Sequence, residues 1–381
     1  MRLLWNSRCI FKLFRALLGF YCVLPVAFYL SPQLRRMLIF GTYIIWPFHD
    51  YSRPESYGLP HAKNFYINSV GDIRLGTWYI PPKGFWKQLE RHSSREPEAW
   101  MFQDRRPVII YYHGHANCRA CDYRIGLYRA LSQSEKLDAH VFAIDYRGFG
   151  DSTKLLPDRE GVLHDATVAF DYVRKLLKND ESRILIWGHS LGTAVVMQLA
   201  EAFTELKRNP MGVILEAPFN SLVEASLEWP LGKPYKYFPG ISTIFGTLRD
   251  DDETFFESEQ LAGSVRLPML IMHSPDDALV PYSLGVKLFE RLRVLCPVQP
   301  RFYKVNDTYG PGHRYIHLDP GVQSAVADFI QSFNKPVPDK RADRIITKLQ
   351  TPEEILTHDF SGDETGLGAS TETGSTPLTY K

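Results

Sequence analysis

Residues 183–200 read RILIWGHSLGTAVVMQLA, an apolar strand pattern, a G-x-S-x-G turn and a helical pattern in direct succession. A strand that passes into a helix through so tight a turn projects its central side chain, here Ser190, beyond the end of the sheet. Gly188 and Gly192 form this elbow, because a Cβ at either position would collide with neighbouring backbone. We therefore predict that Ser190 is a nucleophile. A glycine-rich turn with a helix-capping serine is the alternative interpretation.

Short apolar runs alternate with helical patterns on both sides of this turn. Strands are predicted at 62–70, 73–80, 108–112, 140–145, 183–188, 212–217, 268–273 and 301–305, with helices near 121–134, 161–178, 191–206, 283–293 and 319–333. The first two strands are expected to form an antiparallel pair. Continuous apolar strands separated by helices are typical of a mostly parallel sheet with helices on both faces. The fold class is therefore α/β, and functional sites are expected beyond the carboxyl ends of the strands.

A serine nucleophile needs a base and an acid, and in this type of fold they follow it in the order acid, then histidine. The stretch PMLIMHSPDDALVP (268–281) places two adjacent aspartates after a strand. We predict Asp277 as the acid, because D-x-x-V-P is the usual pattern of such loops. Asp276 is the alternative, and its ordinary role would be hydrogen bonding within the turn.

The base is expected after the last strand, where GPGHRYIH (310–317) supplies two histidines. His313 follows Gly-Pro-Gly on a loop, from which a mobile imidazole can reach Ser190. His317 is expected at the start of the final helix. We therefore predict that His313 removes the serine proton and that Asp277 orients its ring.

Two backbone N–H groups are needed to stabilise an oxyanion. One is predicted at Leu191, directly after the nucleophile, and the other in the loop YHGHAN (112–117) that follows a strand. We choose the amide of His115, with Ala116 as the alternative. His113 and His115 also match a metal pair, but the H-G turn accounts for them better, so no metal and no cofactor are expected.

The N-terminal region contains an uncharged apolar stretch, residues 16–30, which extends back to Ile10 if Lys12 and Arg15 snorkel. We predict a single signal-anchor helix. A cleaved signal peptide is not favoured, because no A-x-A cleavage site follows the stretch. A buried core helix is the remaining alternative. Basic residues are more frequent before the stretch than after it, which places the N-terminus in the cytoplasm and the main domain in a lumen. Asn306, in an N-x-T sequon, fits that orientation as a candidate glycosylation site.

Composition excludes several classes of protein. The chain of 381 residues has a formal net charge of +1, and its body has no basic stripe, so no nucleic-acid partner is expected. A hydrophobic content of 44% is too high for an intrinsically disordered protein. Five cysteines do not make a disulfide scaffold. Cys118 and Cys121 form a C-x-x-C pair that fits a redox pair, half a zinc site or coincidence; without a second such motif, zinc is not expected.

Three segments follow from these patterns. Residues 1–50 are predicted to be a membrane anchor with a juxtamembrane segment, residues 51–335 the catalytic domain, and residues 336–381 a disordered tail rich in Gly, Ser, Thr, Asp and Glu. Within the catalytic domain, the aromatic and proline-punctuated residues 218–265 are predicted to form a cap insertion. An apolar cap beside a membrane segment suits a long acyl chain.

Seven segments, YYHGHAN, DYRGFGDS, IWGHSLGTAV, LEAPFNS, YKYFPG, LIMHSPDDALVP and GHRYIH, occur in this order. Together they resemble the membrane lipases of the α/β-hydrolase domain-containing protein 12 type, from the anchor to about residue 334. The resemblance implies an α/β-hydrolase fold, with Ser190, Asp277 and His313 as nucleophile, acid and base. It also implies a single-pass endoplasmic-reticulum protein with a lumenal site that hydrolyses lysophosphatidylserine and monoacylglycerols. His115 stands where the family usually has Asn.

The resulting hypothesis is a membrane-anchored serine hydrolase that cleaves acyl esters of lysophospholipids or monoacylglycerols through an acyl-enzyme. The lipid ester and the membrane are its expected partners, and the sequence identifies no protein partner. Two alternatives remain open at this point. The triad does not distinguish oxygen esters from thioesters, so an acyl-protein or acyl-CoA thioesterase fits as well. A non-catalytic scaffold of the same fold is the other alternative.

Overall fold

An eight-stranded sheet forms the centre of the computed structural model, which describes residues 7–44, 49–91, 94–248 and 256–334. For residues 7–10 and 334 the description covers the backbone alone. The strands are β1 (Lys63–Asn68), β2 (Arg74–Ile80), β3 (Val108–Tyr112), β4 (His140–Ile144), β5 (Ile184–His189), β6 (Gly212–Glu216), β7 (Met269–His273) and β8 (Arg301–Lys304).

The strand order is β1-β2-β4-β3-β5-β6-β7-β8. The pairs β1–β2 and β2–β4 are antiparallel, as the hairpin pattern at the start of the domain predicts. All other neighbours are parallel, with Tyr112 opposite Gly188 and His189 opposite Glu216. The six strands from β3 to β8 therefore end at one edge of the sheet, and the loops that follow them lie close together.

Helices connect the parallel strands, and two more precede the sheet. They are α1 (Ser7–Leu30), α2 (Pro32–Phe40), α3 (Trp86–Leu89), α4 (Asp122–Ser132), α5 (Arg159–Leu176), α6 (Leu191–Glu205), α7 (Leu222–Glu228), α8 (Ile241–Gly246), α9 (Tyr282–Leu295) and α10 (Pro320–Asn334). Side-chain caps define where some of them begin: Asp158 accepts a hydrogen bond from the amide of Gly161 at the start of α5.

The central strands are buried on both faces, which explains their continuous apolar sequence. All five residues of β3 (VIIYY) are buried. Tyr111 contacts Tyr128 of α4 on one face, and the hydroxyl of Tyr112 donates to the carbonyl of Ala166 in α5 on the other. Alternate side chains of one strand thus serve two helical layers. The predicted fold class is confirmed.

The segment between β6 and β7 corresponds to the predicted cap insertion, of which residues 249–255 lie outside the described part of the chain. It contains the short helices α7 and α8 and further helical turns. Ser221 directly precedes α7, and its side chain accepts a hydrogen bond from the amide of Glu224. Short helices satisfy backbone groups locally, so the segment can present aromatic side chains without a sheet of its own.

Helix α1 is long and apolar enough to cross a membrane over Phe11–Leu30, and most of that stretch is exposed. One side of it contacts the cap: Tyr21 stacks on Tyr235 with ring centroids 4.4 Å apart, and Phe28 stacks on Phe245 at 5.2 Å. The predicted disordered tail, 336–381, and residues 45–48 of the predicted juxtamembrane segment lie outside the described residues.

Candidate active site

Ser190 occupies the elbow between β5 and α6 in a backbone conformation that non-glycine residues rarely adopt, with φ of +52° and ψ of −120°. A Cβ on Gly188 would lie 2.4 Å from the carbonyl oxygen of Gly192, and one on Gly192 would lie 2.2 Å from that of Tyr112. Neither distance is tolerable, so both positions require glycine. The turn holds the Ser190 hydroxyl above the carboxyl edge of the sheet.

His313 and Asp277 form a hydrogen-bonded pair beside this serine. The Nδ1–H of His313 donates to Asp277 Oδ2 at 2.7 Å, which leaves Nε2 of the neutral ring unprotonated. Ser190 and His313 line the same cavity. Within the described residues no hydrogen bond joins the Ser190 hydroxyl to His313; such bonds often tighten only when substrate binds. The arrangement brings the three predicted side chains to one mouth of the sheet.

The carboxylate of Asp277 is buried and fully engaged. Its Oδ1 accepts hydrogen bonds from the amides of Leu279 and Val280 at 2.9 and 2.8 Å. Burial acts to raise the pKa of Asp277, but hydrogen bonds from His273 and His313 outweigh it and hold the pKa below its usual range. The acid therefore stays ionised opposite His313.

His273 is a positioning residue that sequence reasoning missed. Its Nε2–H lies 3.2 Å from Asp277 Oδ2 and 3.0 Å from the carbonyl oxygen of Val280, so one proton is shared between the carboxylate and its own loop. A Cβ on Gly285 would lie 2.2 Å from the His273 ring, so α9 packs closely against it. The only signal in the sequence was a histidine at the end of an apolar strand, which more often has a purely structural role.

The two alternatives for acid and base have other positions. Both carboxylate oxygens of Asp276 accept from the amide of Gly312, at 3.0 and 3.1 Å, so this aspartate fastens the loop that carries His313. His317 lies in a helical turn just before α10, and its ring packs against Gly126 of α4. Neither side chain lines the cavity that contains Ser190.

The loop after β3 lies directly against the nucleophile. A Cβ on Gly114 would be 2.8 Å from the Cβ of Ser190, which places the next amide, that of His115, beside the serine. The Ala116 amide donates to the carbonyl oxygen of Phe40 at 3.0 Å, so it is already engaged. Of the two candidates for the second oxyanion donor, His115 therefore fits better, together with Leu191 at the start of α6.

The side chains of His115 and His113 have separate hydrogen-bond partners. Its Nε2–H donates to the carbonyl of Leu38 in α2 at 3.1 Å, and burial lowers its pKa to about 4. His113 instead donates from Nδ1 to the carbonyl of Gly114. The juxtamembrane helix thus holds the loop that carries the predicted oxyanion donor, a contact that no local sequence pattern indicates.

A cavity of about 250 Å³ opens at Ser190. Its lining is mostly apolar and comes from the cap, from α2 and from the inner side of α1. Leu24, Pro25 and Phe28 of the membrane-compatible helix form part of its wall. Arg314, His115 and Asn117 are among its few polar lining residues. An apolar cavity with a few polar groups at the nucleophile suits an acyl chain attached to a polar head.

Glu216 is a buried carboxyl group near the site that the sequence analysis did not assign. Burial raises its pKa to about 8, although Trp187 Nε1–H donates to it at 2.7 Å. It ends β6, and its carbonyl accepts from the amide of Ser190 at 2.9 Å. Burial therefore favours the protonated form of the side chain, while the backbone carbonyl of Glu216 holds the elbow through the Ser190 amide.

Asp145 and Arg147 of the DYRGFGDS segment and Asn306 of the sequon lie outside the group formed by Ser190, His313 and Asp277. The guanidinium of Arg147 forms a two-point ion pair with Asp165, and Asp145 pairs with Arg119, so these residues tie loops together. Asn306 is exposed on the loop after β8, where its side-chain oxygen accepts from the amide of Thr308 at 3.0 Å. The asparagine is thus accessible to a modifying enzyme.

Comparison with known proteins gives consistent results. Residues 107–241 match the family model described as alpha/beta hydrolase fold. The chain is 31% identical over 334 residues to lysophosphatidylserine lipase ABHD12 of Danio rerio, covering 87% of this chain and 85% of that protein. It is 32% identical to the Xenopus tropicalis protein of the same name, covering 86% and 83%, and 33% identical to human protein ABHD12B, covering 77% and 79%.

Solved structures show the same fold. An esterase from Pyrococcus furiosus matches with a TM-score of 0.53 at 17% identity, covering 73% of this chain and 93% of the other. An alpha-beta hydrolase from Vibrio vulnificus matches with a TM-score of 0.56 at 17% identity, covering 79% and 94%. At this level of identity the structural likeness extends to the fold alone.

Proposed function

Because the chain belongs to the α/β-hydrolase family of the ABHD12 lysophosphatidylserine lipases, we propose that it is a membrane-anchored serine hydrolase for lipid esters. Its substrates are lysophospholipids of the lysophosphatidylserine type or monoacylglycerols. The observation that carries the proposal is one apolar cavity, walled in part by α1, which is lined by Ser190 and by His313, the hydrogen-bond partner of Asp277. In this proposal residues 1–50 anchor the chain and residues 51–335 carry the chemistry.

Acylation begins when Ser190 Oγ attacks the ester carbonyl and His313 Nε2 takes the hydroxyl proton. The ionised Asp277 stabilises the imidazolium that results and holds its Nδ1–H in place. The carbonyl oxygen becomes an oxyanion that accepts hydrogen bonds from the amides of Leu191 and His115. His313 then donates its proton to the leaving alkoxide, which departs as the glycerol-containing alcohol and leaves an acyl-serine.

Deacylation repeats these steps with water as the nucleophile. His313 takes a proton from water, the hydroxide attacks the acyl-serine, and the oxyanion occupies the same two amides. Collapse of the intermediate returns the proton from His313 to Ser190 Oγ and releases the fatty acid. The hydrogen bonds that Asp277 accepts from His273 and His313 outweigh its burial and keep it ionised through both halves of the cycle.

The entrance of the cavity supports a substrate with an anionic head. Arg314 follows His313 directly, is exposed, and lines the cavity with its guanidinium 5.6 Å from the ring centroid of Tyr123. No carboxylate of the described residues forms an ion pair with it. A phosphate or carboxylate of a lysophospholipid head is a suitable partner for such a guanidinium.

We also propose that the protein is located in the endoplasmic-reticulum membrane with its catalytic domain in the lumen. The basic residues before the apolar stretch 16–30 favour a cytoplasmic N-terminus. Arg35 and Arg36, which follow the helix, have structural partners: Arg35 donates to the carbonyl of Tyr29 at 2.8 Å, and Arg36 to that of Pro157 at 2.9 Å. Because these hydrogen bonds explain why arginines occupy the two positions, Arg35 and Arg36 are weak evidence against the proposed orientation.

The first prediction concerns Ser190. In membranes that contain the full-length protein, Ser190→Ala is expected to abolish labelling by a fluorophosphonate and to lower hydrolysis of lysophosphatidylserine and monoacylglycerol by at least about 10³-fold. A matched control is Ser182→Ala, an exposed serine in a turn before β5. It should label and turn over as the parent does.

Two results would contradict the proposal. Persistent labelling of Ser190→Ala would show that another residue is the nucleophile. Normal labelling of the parent without turnover of either lipid, but with rapid release of the acyl group from acyl-CoA, would favour a thioesterase.

A further inference from the structure

Two cysteines and a histidine that is distant from them along the chain lie close together behind residues 112–117, here called the oxyanion loop. The Sγ atoms of Cys118 and Cys121 and a ring nitrogen of His49 all lie within 4.8 Å of one another. It is the one group of at least three potential metal-ligating side chains found among the described residues. None of the three has a part in the acyl transfer proposed above.

The surroundings of this cluster are protected from solvent. Cys118 is fully buried and Cys121 is 7% exposed, whereas His49 is partly exposed. The Tyr51 hydroxyl lies against Cys118 and is itself largely buried. Cys121 is the residue that precedes α4, so the helix N-terminus favours negative charge on its sulfur. The two thiols are thus shielded from solvent, and the imidazole is the most exposed of the three candidate ligands.

We propose that His49, Cys118 and Cys121 together bind one Zn²⁺ ion. Two thiolates and an imidazole are ligands that zinc prefers. Tetrahedral zinc places such ligand atoms about 3.5–3.8 Å apart. Because the three atoms already lie within 4.8 Å of one another, their separations need to shorten by at most about 1 Å. The fourth position is left for water or the Tyr51 hydroxyl. On binding, two Zn–S bonds and one Zn–N bond form, and the two thiol protons pass to solvent.

The position of the cluster assigns it a structural role. The carbonyl of Phe40 accepts from the amide of Ala116, and that of Ile44 accepts from the amide of Asn117, so the segment after α2 already binds the oxyanion loop. A metal held by His49 adds a third attachment between the same two segments. Zinc therefore clamps the juxtamembrane segment to the loop that carries the His115 amide.

The sequence alone identifies the cysteine pair but no third ligand. His49 lies far upstream of Cys118 and belongs to no recognisable metal motif. Chain folding alone brings it to the turn before α4. The rival chemistry for the pair is a Cys118–Cys121 disulfide, which would consume both thiols and leave His49 without a metal.

The test uses full-length protein purified in detergent micelles without chelator or added reductant from cells grown with zinc. Metal content is measured by inductively coupled plasma mass spectrometry, and thiols by alkylation and peptide mapping. About one zinc per chain is expected in the parent, and less than one-tenth in the Cys118→Ser/Cys121→Ser double variant; His49→Ala should also lose most of its zinc. Cys296→Ser is the matched control, because Cys296 is a buried cysteine whose thiol donates a hydrogen bond to the carbonyl of Val265. This variant should keep one zinc.

A second measurement covers the case in which the double variant fails to fold. Zinc in the parent is exchanged for Co²⁺, and thiolate ligation is expected to produce an intense near-ultraviolet charge-transfer absorption that is absent after chelation. Ser190→Ala should retain both zinc and this absorption, which separates the fate of this site from that of the proposed enzymatic activity.

Three results would overturn the zinc proposal. They are a parent chain with less than one-tenth of a zinc and no cobalt charge-transfer band, an unchanged zinc content in the folded double variant, and a Cys118–Cys121 disulfide as the main form of the purified protein.

Discussion

Asp277 and Asp276 are adjacent and chemically identical, yet the structure gives them different partners. Asp277 accepts from the imidazole of His313, while Asp276 accepts from the amide of Gly312 on the same loop. One carboxylate therefore orients the base, and the other fastens the segment that carries it. The contrast allows the acid to be tested with a closely matched control.

Asp277→Asn is expected to lower kcat for lysophosphatidylserine by roughly 10³–10⁴-fold, because an amide N–H opposite Nδ1 favours the tautomer whose Nε2 is protonated and cannot accept the serine proton. Asp276→Asn keeps a side-chain oxygen for the Gly312 amide and should lose less than about tenfold. Steady-state kinetics on both variants, with circular dichroism to verify folding, measures the difference. Equal losses of kcat in the two variants would show that Asp277 is not the acid.

Glu216 leads to a prediction about pH. The unfolded carboxyl group is ionised above about pH 5, whereas the folded one keeps its proton up to about pH 8. Between pH 6.5 and 8 the folded state therefore binds more protons than the unfolded state, and the free energy of unfolding falls as pH rises, by at most about 1.4 kcal/mol per pH unit from this group.

Glu216→Gln retains an oxygen for the Trp187 indole and removes the titration. The decrease in Tm from pH 6.5 to 8 should consequently be smaller in the variant than in the parent, as measured by differential scanning fluorimetry in detergent. The comparison cancels contributions from other titrating groups. Identical slopes would mean that Glu216 is ionised in the folded protein throughout this range.

At the scale of elements, α1 has two different sides. One side carries exposed apolar residues such as Phe11, Phe14 and Leu17, which suit lipid. The other packs on the cap, where the Tyr21 hydroxyl donates to the carbonyl of Pro234 at 2.8 Å, and it contributes to the wall of the cavity. The helix therefore has an apolar outer side and an inner side that forms part of the wall of the cavity at Ser190.

Phe28→Ala tests this role of the helix. Phe28 is 6% exposed and lines the cavity, so its loss should lower kcat/KM for a long-chain lysolipid by about tenfold or more, since apolar contact with the acyl chain is removed. A short-chain ester that does not reach Phe28 should change less than about twofold. Phe14→Ala, at a position that is 60% exposed, is the matched control. Equal effects of both variants on long-chain substrate would count against a wall formed by α1.

At the scale of the whole molecule, the anchor helix and the catalytic domain are connected through the active site itself. The carbonyls of Leu38 and Phe40 in α2 bind the side chain of His115 and the amide of Ala116, while α1 lines the cavity. Removal of residues 1–44 would therefore disturb the oxyanion loop as well as remove the membrane-compatible helix α1.

The lumenal orientation predicts a glycan at Asn306. Expressed in cells with a secretory pathway, the parent chain should show one mass shift that an endoglycosidase removes, since Asn306 is exposed on a loop. Asn306→Gln and Thr308→Ala should abolish the shift, and Thr308→Ser should preserve it. An unshifted chain that protease digests in intact microsomes would place the domain in the cytoplasm.

Much of the fold follows from local sequence patterns. The strand VIIYY was predicted at the residues it occupies, and the order of the strands and of the five helices predicted for the catalytic region agrees with the structure. The short helices α3, α7 and α8 were not predicted. Burial of both sheet faces requires continuous apolar runs, and the elbow requires two glycines around Ser190, so both leave a direct record in the sequence. The order of nucleophile, acid and base along the chain likewise made Ser190, Asp277 and His313 predictable candidates.

Other features depend on contacts between segments that lie far apart along the chain. The position of His273 behind Asp277, the division of labour between Asp277 and Asp276, and the meeting of His49 with the cysteine pair have no local signature. The same is true of the α1 wall and of the α2 carbonyls at the oxyanion loop. Periodicity and turn chemistry act over a few residues, whereas these arrangements arise only when packing brings distant surfaces together, so the tertiary structure alone decided them.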